Sequence, residues 1–329
     1  MKIKRNKYQH STPILNISCS NSIKTPYKCL YSTFSDTITS HIHLVEYSNQ
    51  TISYLTHNNQ IDNPFPPTAI KFIPKSICYG DNFITSGEKL RLYNLTETNN
   101  IFQLSTIDDS FNHYPSCGFD WCQVNCDLIC CWYLNNTCTV WNIKSSEIVI
   151  SFGNQTTKEI NDMKYSPSSP DLYVISTNYG TLQLTDIRIN MNSSEIIVQK
   201  GLPNTTIQPL TKITWNEKDS YKIATINEEG NDLYIIDIRQ SHKPYKIISN
   251  TNSDDKEKIT TIEWSKRKEN EICIGKRNKI EILNINTNEI VWEENGIEDE
   301  ITDICLSKVK DDLLCCCIGN DIYYYFIDC

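Results

Sequence analysis

The stretch Cys117–Ile143, CGFDWCQVNCDLICCWYLNNTCTVWNI, decides the fold of this chain. It holds three short apolar runs, Gly118–Trp121, Leu128–Tyr133 and Cys138–Ile143, set apart by polar turns. Each run is too short for a helix. Each is also rich in aromatic, β-branched and Cys residues, which suit a pleated and half-buried surface. The third run ends on Trp141-Asn142, an apolar residue followed by a polar one.

The same grammar recurs on both sides. Upstream, a copy closes on Tyr93-Asn94 and a weaker one near Val45-Glu46. Downstream, copies close on Thr185-Asp186, Ile236-Asp237 and Leu283-Asn284, and the last closes near Tyr325-Phe326. The closing positions 46, 94, 142, 186, 237, 284 and 326 stand 42 to 51 residues apart. That is close to the ~40–45-residue WD period, with loops absorbing the excess, and too long for ankyrin or tetratricopeptide repeats.

Seven such units fit one ring of four-stranded blades, because no single blade can bury both of its faces alone. The expected architecture is therefore all-β: a seven-bladed WD40-type β-propeller, with residues 1–329 as a single domain. Its blades are expected near 12–57, 68–105, 117–153, 160–200, 211–249, 259–294 and 301–329. The last unit offers only three strands. The stretch Lys2–His10 is expected to supply the fourth and so close the ring.

Bulk properties agree with a globular chain. The hydrophobic fraction is 39%, the charged fraction 22% and the net charge −9. The acidic balance argues against a duplex-binding face, which needs clustered Lys and Arg. The basic group Lys2, Lys4, Arg5 and Lys7 reads as a solvated edge. No apolar run approaches the ~20 residues of a membrane helix, and no apolar segment follows the basic N-terminus as in a secretion signal. The fifteen Cys are odd in number, scattered and often adjacent. They read as small buried hydrophobes of a reducing compartment, not as a disulfide framework. Sequons such as Asn154-Gln155-Thr156 are expected by chance. Gly is scarce, so Asn and Asp are expected to take the left-handed turn positions, as at Asn135-Asn136, Asn178 and Asn231-Asp232.

Ordered matches tie the chain to one group of WD-repeat proteins. Gly118-Phe119-Asp120-Trp121-Cys122 and Thr137-Cys138-Thr139-Val140-Trp141 lie at the centre. Before them come Asn63-Pro64-Phe65-Pro66-Pro67-Thr68, Phe72-Ile73-Pro74, Ile84-Thr85-Ser86-Gly87-Glu88 and Leu90-Arg91-Leu92-Tyr93. After them come Thr185-Asp186-Ile187-Arg188, Thr214-Trp215-Asn216-Glu217-Lys218 and Ile236-Asp237-Ile238-Arg239. In order and spacing these resemble the family of plant Transparent Testa Glabra and its animal counterpart, a cullin-4-associated adaptor. The resemblance runs from about Tyr8 to the C-terminus and is weak before Pro64. It departs from the pattern in the charged stretch Lys266-Arg267-Lys268-Glu269. It implies a non-catalytic scaffold of cytoplasm and nucleus. Such a scaffold assembles basic-helix-loop-helix and Myb transcription factors, or protein kinases of the dual-specificity Tyr-regulated and homeodomain-interacting kinds.

The most pointed site candidates are the paired strand ends Asp186-Arg188 and Asp237-Arg239. Similar Asp-x-Arg ends occur in receptors that dock on the cullin-4 ligase adaptor, and an Arg at a blade's rim can fork to a partner's carboxylate. The competing reading is an ion pair or a helix-free turn cap internal to the blade. Phe65, on the Pro-rich link, is a second candidate for partner contact. Trp121, Trp215 and Trp264 recur in one slot and read as core anchors. Cys122, Cys126, Cys130 and Cys131, with His113, lack the paired spacing of a zinc site. No hydrolase elbow, Walker loop, HExxH or dinucleotide fingerprint occurs. The six His (His10, His41, His43, His57, His113 and His242) sit in no recognisable catalytic motif. Carboxylate pairs such as Asp254-Asp255 and Asp311-Asp312 read as turn caps.

The expectation is a monomeric scaffold with protein partners. No cofactor, metal, nucleic acid or membrane is expected to take part. The alternative is a substrate receptor of a cullin-4 ubiquitin ligase, and a propeller-housed hydrolase is a distant third.

Overall fold

The computed structural model describes residues 4–34, 40–48, 51–54, 61–63, 65–74, 81–108, 113–153, 159–188, 193–198, 208–240, 243–249, 258–310 and 312–327. Lys2, His57, Pro64, Asn154-Gln155-Thr156, His242, Asp254, Asp255 and Asp311 lie outside them. The described residues form strands, joined by turns and one 3-10 turn at Ile238–Gln240. The architecture is a seven-bladed β-propeller.

Strand β1 (Lys4–Gln9) comes first in the chain. The first blade holds β2 (Ile14–Cys19), β3 (Lys28–Thr33), β4 (Ser40–Ser48), β5 (Thr51–Tyr54) and β6 (Ile61–Asn63). The second holds β7 (Ala69–Phe72), β8 (Asp81–Ser86), β9 (Leu90–Leu95) and β10 (Ile101–Ile107). The third, the best repeat of the sequence, holds β11 (Ser116–Trp121), β12 (Leu128–Tyr133), β13 (Thr137–Asn142) and β14 (Glu147–Gly153). The fourth holds β15 (Ile160–Tyr165), β16 (Leu172–Thr177), β17 (Thr181–Asp186) and β18 (Ser193–Ile197). The fifth holds β19 (Leu210–Trp215), β20 (Lys222–Asn227), β21 (Asp232–Asp237) and β22 (Lys246–Ser249). The sixth holds β23 (Ile259–Trp264), β24 (Glu271–Lys276), β25 (Lys279–Asn284) and β26 (Ile290–Asn295). The last holds β27 (Ile301–Leu306), β28 (Leu313–Ile318) and β29 (Asp321–Phe326).

Each sheet is antiparallel with its strands in chain order, with two departures. In the first blade the nine-residue β4 pairs with both short strands β5 and β6, so this sheet has five strands where four are expected. In the last sheet the order is β1-β29-β28-β27. The N-terminal strand therefore supplies the missing fourth strand, in a ladder from Lys4↔Phe326 to Gln9↔Asp321. Arg5 lays its guanidinium over the Tyr323 ring, 4.4 Å from the centroid, and Lys7 pairs with Asp321 at 2.6 Å. These contacts fix the register of a strand that arrives from the other end of the chain.

The chain falls into two compact units, Met1–Cys117 with Asp299–Cys329, and Gly118–Glu298. Within both, second strands are buried on both faces, as in LICCWY of β12 and LLCCCI of β28. Both faces of such a strand need small or apolar side chains, which is where seven of the thirteen described Cys go. Outer strands meet solvent. In β14 exposed residues alternate with half-buried ones.

Five of the first strands are stitched sideways to the next blade by one polar side chain each. In the second unit, Asp120 accepts the backbone N–H of Tyr165 (2.8 Å), Asp162 that of Ile213 (2.9 Å) and the Thr214 hydroxyl that of Trp264 (3.2 Å). In the first unit, Asp303 accepts from Ile17 (3.1 Å) and Ser18 from Phe72 (3.1 Å). These N–H groups face away from their own ladder, and an unpaired buried N–H is costly. Asn takes left-handed positions in place of Gly at Asn99, Asn136 and Asn288, with φ of 65°, 62° and 62°. Gly230 (φ 68°) is irreplaceable for another reason. Its carbonyl accepts the Ile259 N–H at 2.8 Å, and a Cβ there would lie 2.4 Å from the Ile259 oxygen.

Candidate docking corners

The seven closing positions are one structural position. Each pairs with the first residue of the blade's second strand or its neighbour: Glu46 with Lys28, Asn94 with Asn82, Asn142 with Leu128 and Asp186 with Leu172. Asp237 pairs likewise with Lys222, Asn284 with Glu271 and Phe326 with Leu313. The residue after it donates its N–H back to the preceding turn. Ile143 bonds Asp127, Ile187 bonds Asp171, Ile238 bonds Tyr221, Ile285 bonds Asn270 and Ile327 bonds Asp312. The third strand is thereby locked just where the chain must turn into the fourth.

At the turn itself the closing side chain acts as a cap. Asn142 Oδ1 accepts from the N–H groups of Lys144 (3.0 Å) and Ser145 (3.1 Å). Asn284 Oδ1 does the same for Asn286 (2.9 Å) and Thr287 (3.2 Å). Asp186 accepts from Arg188 N–H (2.9 Å), and Asp237 from Arg239 N–H (3.0 Å). This is the Asx-turn logic: a short side-chain oxygen replaces a backbone acceptor two residues away.

The Asp corners add a second layer. Arg188 donates from Nε to Asp186 Oδ1 (3.0 Å) and from Nη2 to Oδ2 (2.6 Å). Arg239 repeats this on Asp237 at 2.9 and 2.6 Å. Each is a fork-on-fork pair, which fixes the plane of the guanidinium. Hydrogen bonds from Arg188 hold the Asp186 carboxyl below the usual carboxylate range, and those from Arg239 do so for Asp237. The Arg side chains nevertheless stay 64% and 56% exposed. Arg188 has a second carboxylate, Asp171, at 3.8 Å. Arg239 lies over the Tyr221 ring, 4.4 Å from its centroid.

The other candidates are placed as follows. Phe65 is 57% exposed on its Pro-rich link, with Pro67 buried beside it. Trp121, Trp215 and Trp264 are buried in the first strands. Their indole N–H groups donate to the carbonyls of Cys126, Ser220 and Thr214 respectively. Cys130 and Cys131 are buried and show no shared metal geometry with Cys122, Cys126 or His113 among the described residues. His43 stacks on Tyr31 with centroids 4.8 Å apart, and burial pushes its pKa down to about 3. The charged stretch of the sixth blade is spent on ion pairs. Lys266 lies between Glu217 (3.0 Å) and Glu263 (3.1 Å), and Lys268 reaches Glu271 (2.9 Å). Sequence reasoning missed the sideways acceptors Asp120, Asp162 and Asp303. Their signal was an acid inside an otherwise apolar first strand.

No protein-family model matches the sequence. Curated relatives do. The chain is 25% identical over 247 residues to the "DDB1- and CUL4-associated factor 7 homolog" of Dictyostelium discoideum, covering 73% of this chain and 74% of that protein. It is 23% identical over 242 residues to a WD repeat-containing protein of Saccharomyces cerevisiae. The repeat is of the WD type. An uncharacterized WD repeat-containing protein of Schizosaccharomyces pombe is 24% identical over 173 residues. The match spans only 38% of that fission-yeast protein and 45% of the budding-yeast one. The WD-repeat relatives, like the propeller itself, fit a protein-interaction adaptor.

Proposed function

We propose that this WD-repeat chain is a non-catalytic scaffold of the Transparent Testa Glabra type, acting as a monomer in cytoplasm and nucleus. Its protein partners dock on the corners that carry Arg188 and Arg239. The observation that carries the reading is the redundancy of these arginines. Asn142 and Asn284 cap the turns that follow the corresponding positions of their own blades with no Arg at all. The two Arg corners thus hold a rigid, exposed guanidinium that the turn does not require. A clamped Arg loses little side-chain entropy when a partner's carboxylate or backbone carbonyl arrives, which favours binding. Phe65 offers an exposed aromatic of the kind that anchors interfaces.

A second reading is supported by the name of the Dictyostelium relative, which ties that protein to a cullin-4 assembly. In it, the corners dock this chain on the ligase adaptor as a substrate receptor, with kinases or transcription factors as the presented clients. Binding of the purified cullin-4 adaptor to the wild-type chain and to Arg188→Ala/Arg239→Ala separates the two. Binding by the wild type that the double variant loses supports the receptor. A wild type that does not bind the adaptor leaves the scaffold and removes the receptor.

A further inference from the structure

Three cysteines distant in sequence meet inside the first unit: Cys19 in β2, Cys29 in β3 and Cys315 in β28. The Cys29 sulfur lies 3.4 Å from that of Cys19 and 3.5 Å from that of Cys315. All three sulfurs fall within 4.8 Å of one another, and among the described residues no other trio of His, Cys, Asp or Glu does so. The three side chains are buried, walled by Ile17, Tyr31, Val45 and Leu313. The Tyr324 side chain packs in the same cluster as the three cysteines.

We propose that Cys19, Cys29 and Cys315 form a buried three-sulfur site for one soft, thiophilic metal ion of the Cu(I) class. The donor set is sulfur alone, which selects soft d10 ions over harder ones. It offers three ligands in a dry pocket. Zn(II) in a closed structural site takes four. A metal–sulfur bond of about 2.3 Å in a planar three-coordinate site sets the sulfurs about 4 Å apart. The observed edges need to open by about half an ångström, within reach of small Cβ–Sγ rotations. Loading replaces S–H bonds with metal–sulfur bonds. Cu(I) displaces two thiol protons to solvent and takes the third sulfur as a neutral thiol, leaving one net negative charge. Tyr324 stands beside the sulfurs, its hydroxyl donating to the Tyr27 carbonyl at 3.3 Å. Cys305 stands alongside as an outer-shell group: its sulfur accepts the Cys19 backbone N–H at 3.2 Å.

The test uses the full chain. It is unfolded and refolded anaerobically with reductant and excess Cu(I), then desalted and assayed for bound metal, with parallel arms in Zn(II) and Cd(II). The expected result is one Cu(I) per folded chain, with thiolate-to-metal absorption and a raised melting midpoint. Cys29→Ala should lose the ion and the midpoint shift, while Cys273→Ala, a buried cysteine of β24, should keep both. Should Cys29→Ala not fold, the wild type alone decides through its metal content and the protection of three thiols from alkylation. Folded wild-type chain without bound Cu(I), retention by folded Cys29→Ala, or a preference for Zn(II) overturns the assignment.

Discussion

The corners of blades four and five differ from those of blades three and six at two positions, the closing residue and the residue two on. Asn142 and Asn284 cap with a neutral amide oxygen. Asp186 and Asp237 cap with a carboxylate, and a guanidinium two residues on closes over it. The turn needs an oxygen and no charge. A third kind of corner sharpens the point. In the last sheet the fourth strand is β1, so among the described residues β29 leads into no fourth strand of its own, and the closing position holds Phe326, packed against Tyr27 and Tyr47. Where no such strand follows, the polar residue is gone. Where one does, Asn suffices. The arginines are the part that folding leaves unexplained.

The largest break is at the third kind. Deleting residues 1–9 strips the ladder from β29 and uncovers Tyr323 and Tyr325. A loss of about 3–5 kcal/mol is expected from the ladder bonds and apolar cover. A thermal melt should fall by on the order of 10 °C. An unchanged midpoint contradicts closure by β1.

Next is the cap. Asp237→Ala should cost about 1–2 kcal/mol, since it removes the acceptor for two or more donors, whereas Asp237→Asn should cost distinctly less because Asn performs this task in two other blades. Urea unfolding of the pair against wild type reads the difference, and equal losses would mean that the charge, not the oxygen, makes the turn.

Smaller again is the effect of acid. Asp186 and Asp237 have folded-state pKa values below the ordinary carboxylate range. Their stabilisation is fully present above the unfolded-state value near 4 and is lost as pH falls through the lower folded values. Arg188→Ala/Arg239→Ala should flatten that part of the acid limb below about pH 4. An acid limb identical to wild type would show that the arginines do not hold the carboxylates down.

At neutral pH the same increment is what the arginine variants lose, and it is small. Both guanidiniums are largely exposed, and exposed ion pairs contribute little. Arg188→Ala should leave the melting midpoint within error. Arg239→Ala should move it slightly more, because Arg239 also covers Tyr221.

Much of this was legible in the sequence for a physical reason. Strand period, turn residues and closing positions are local, so all seven third-strand ends could be placed, and Asn94, Asn142, Asp186, Asp237 and Asn284 occupy one register. Even the donor strand was legible, because a three-stranded last unit leaves an edge to be covered. Adjacency between blades was not. Asp162 meets Ile213, and Cys29 meets Cys315, only after sheets stack, and no periodicity records which side chains then face one another. The Asp-x-Arg pairs were visible as motifs, with ion pair and docking posed as rivals. The geometry makes them compatible, since the fork that binds Asp237 also steadies the guanidinium's exposed edge.

The most direct test compares what the folded Arg188→Ala/Arg239→Ala chain and the wild type retain in quantitative affinity purification from the same cells, with matched melting curves. The account predicts midpoints that differ by no more than the small shift of Arg239→Ala, and the loss of at least one partner that the wild type holds stoichiometrically. An unchanged set of stoichiometric partners on an equally stable double variant would contradict it.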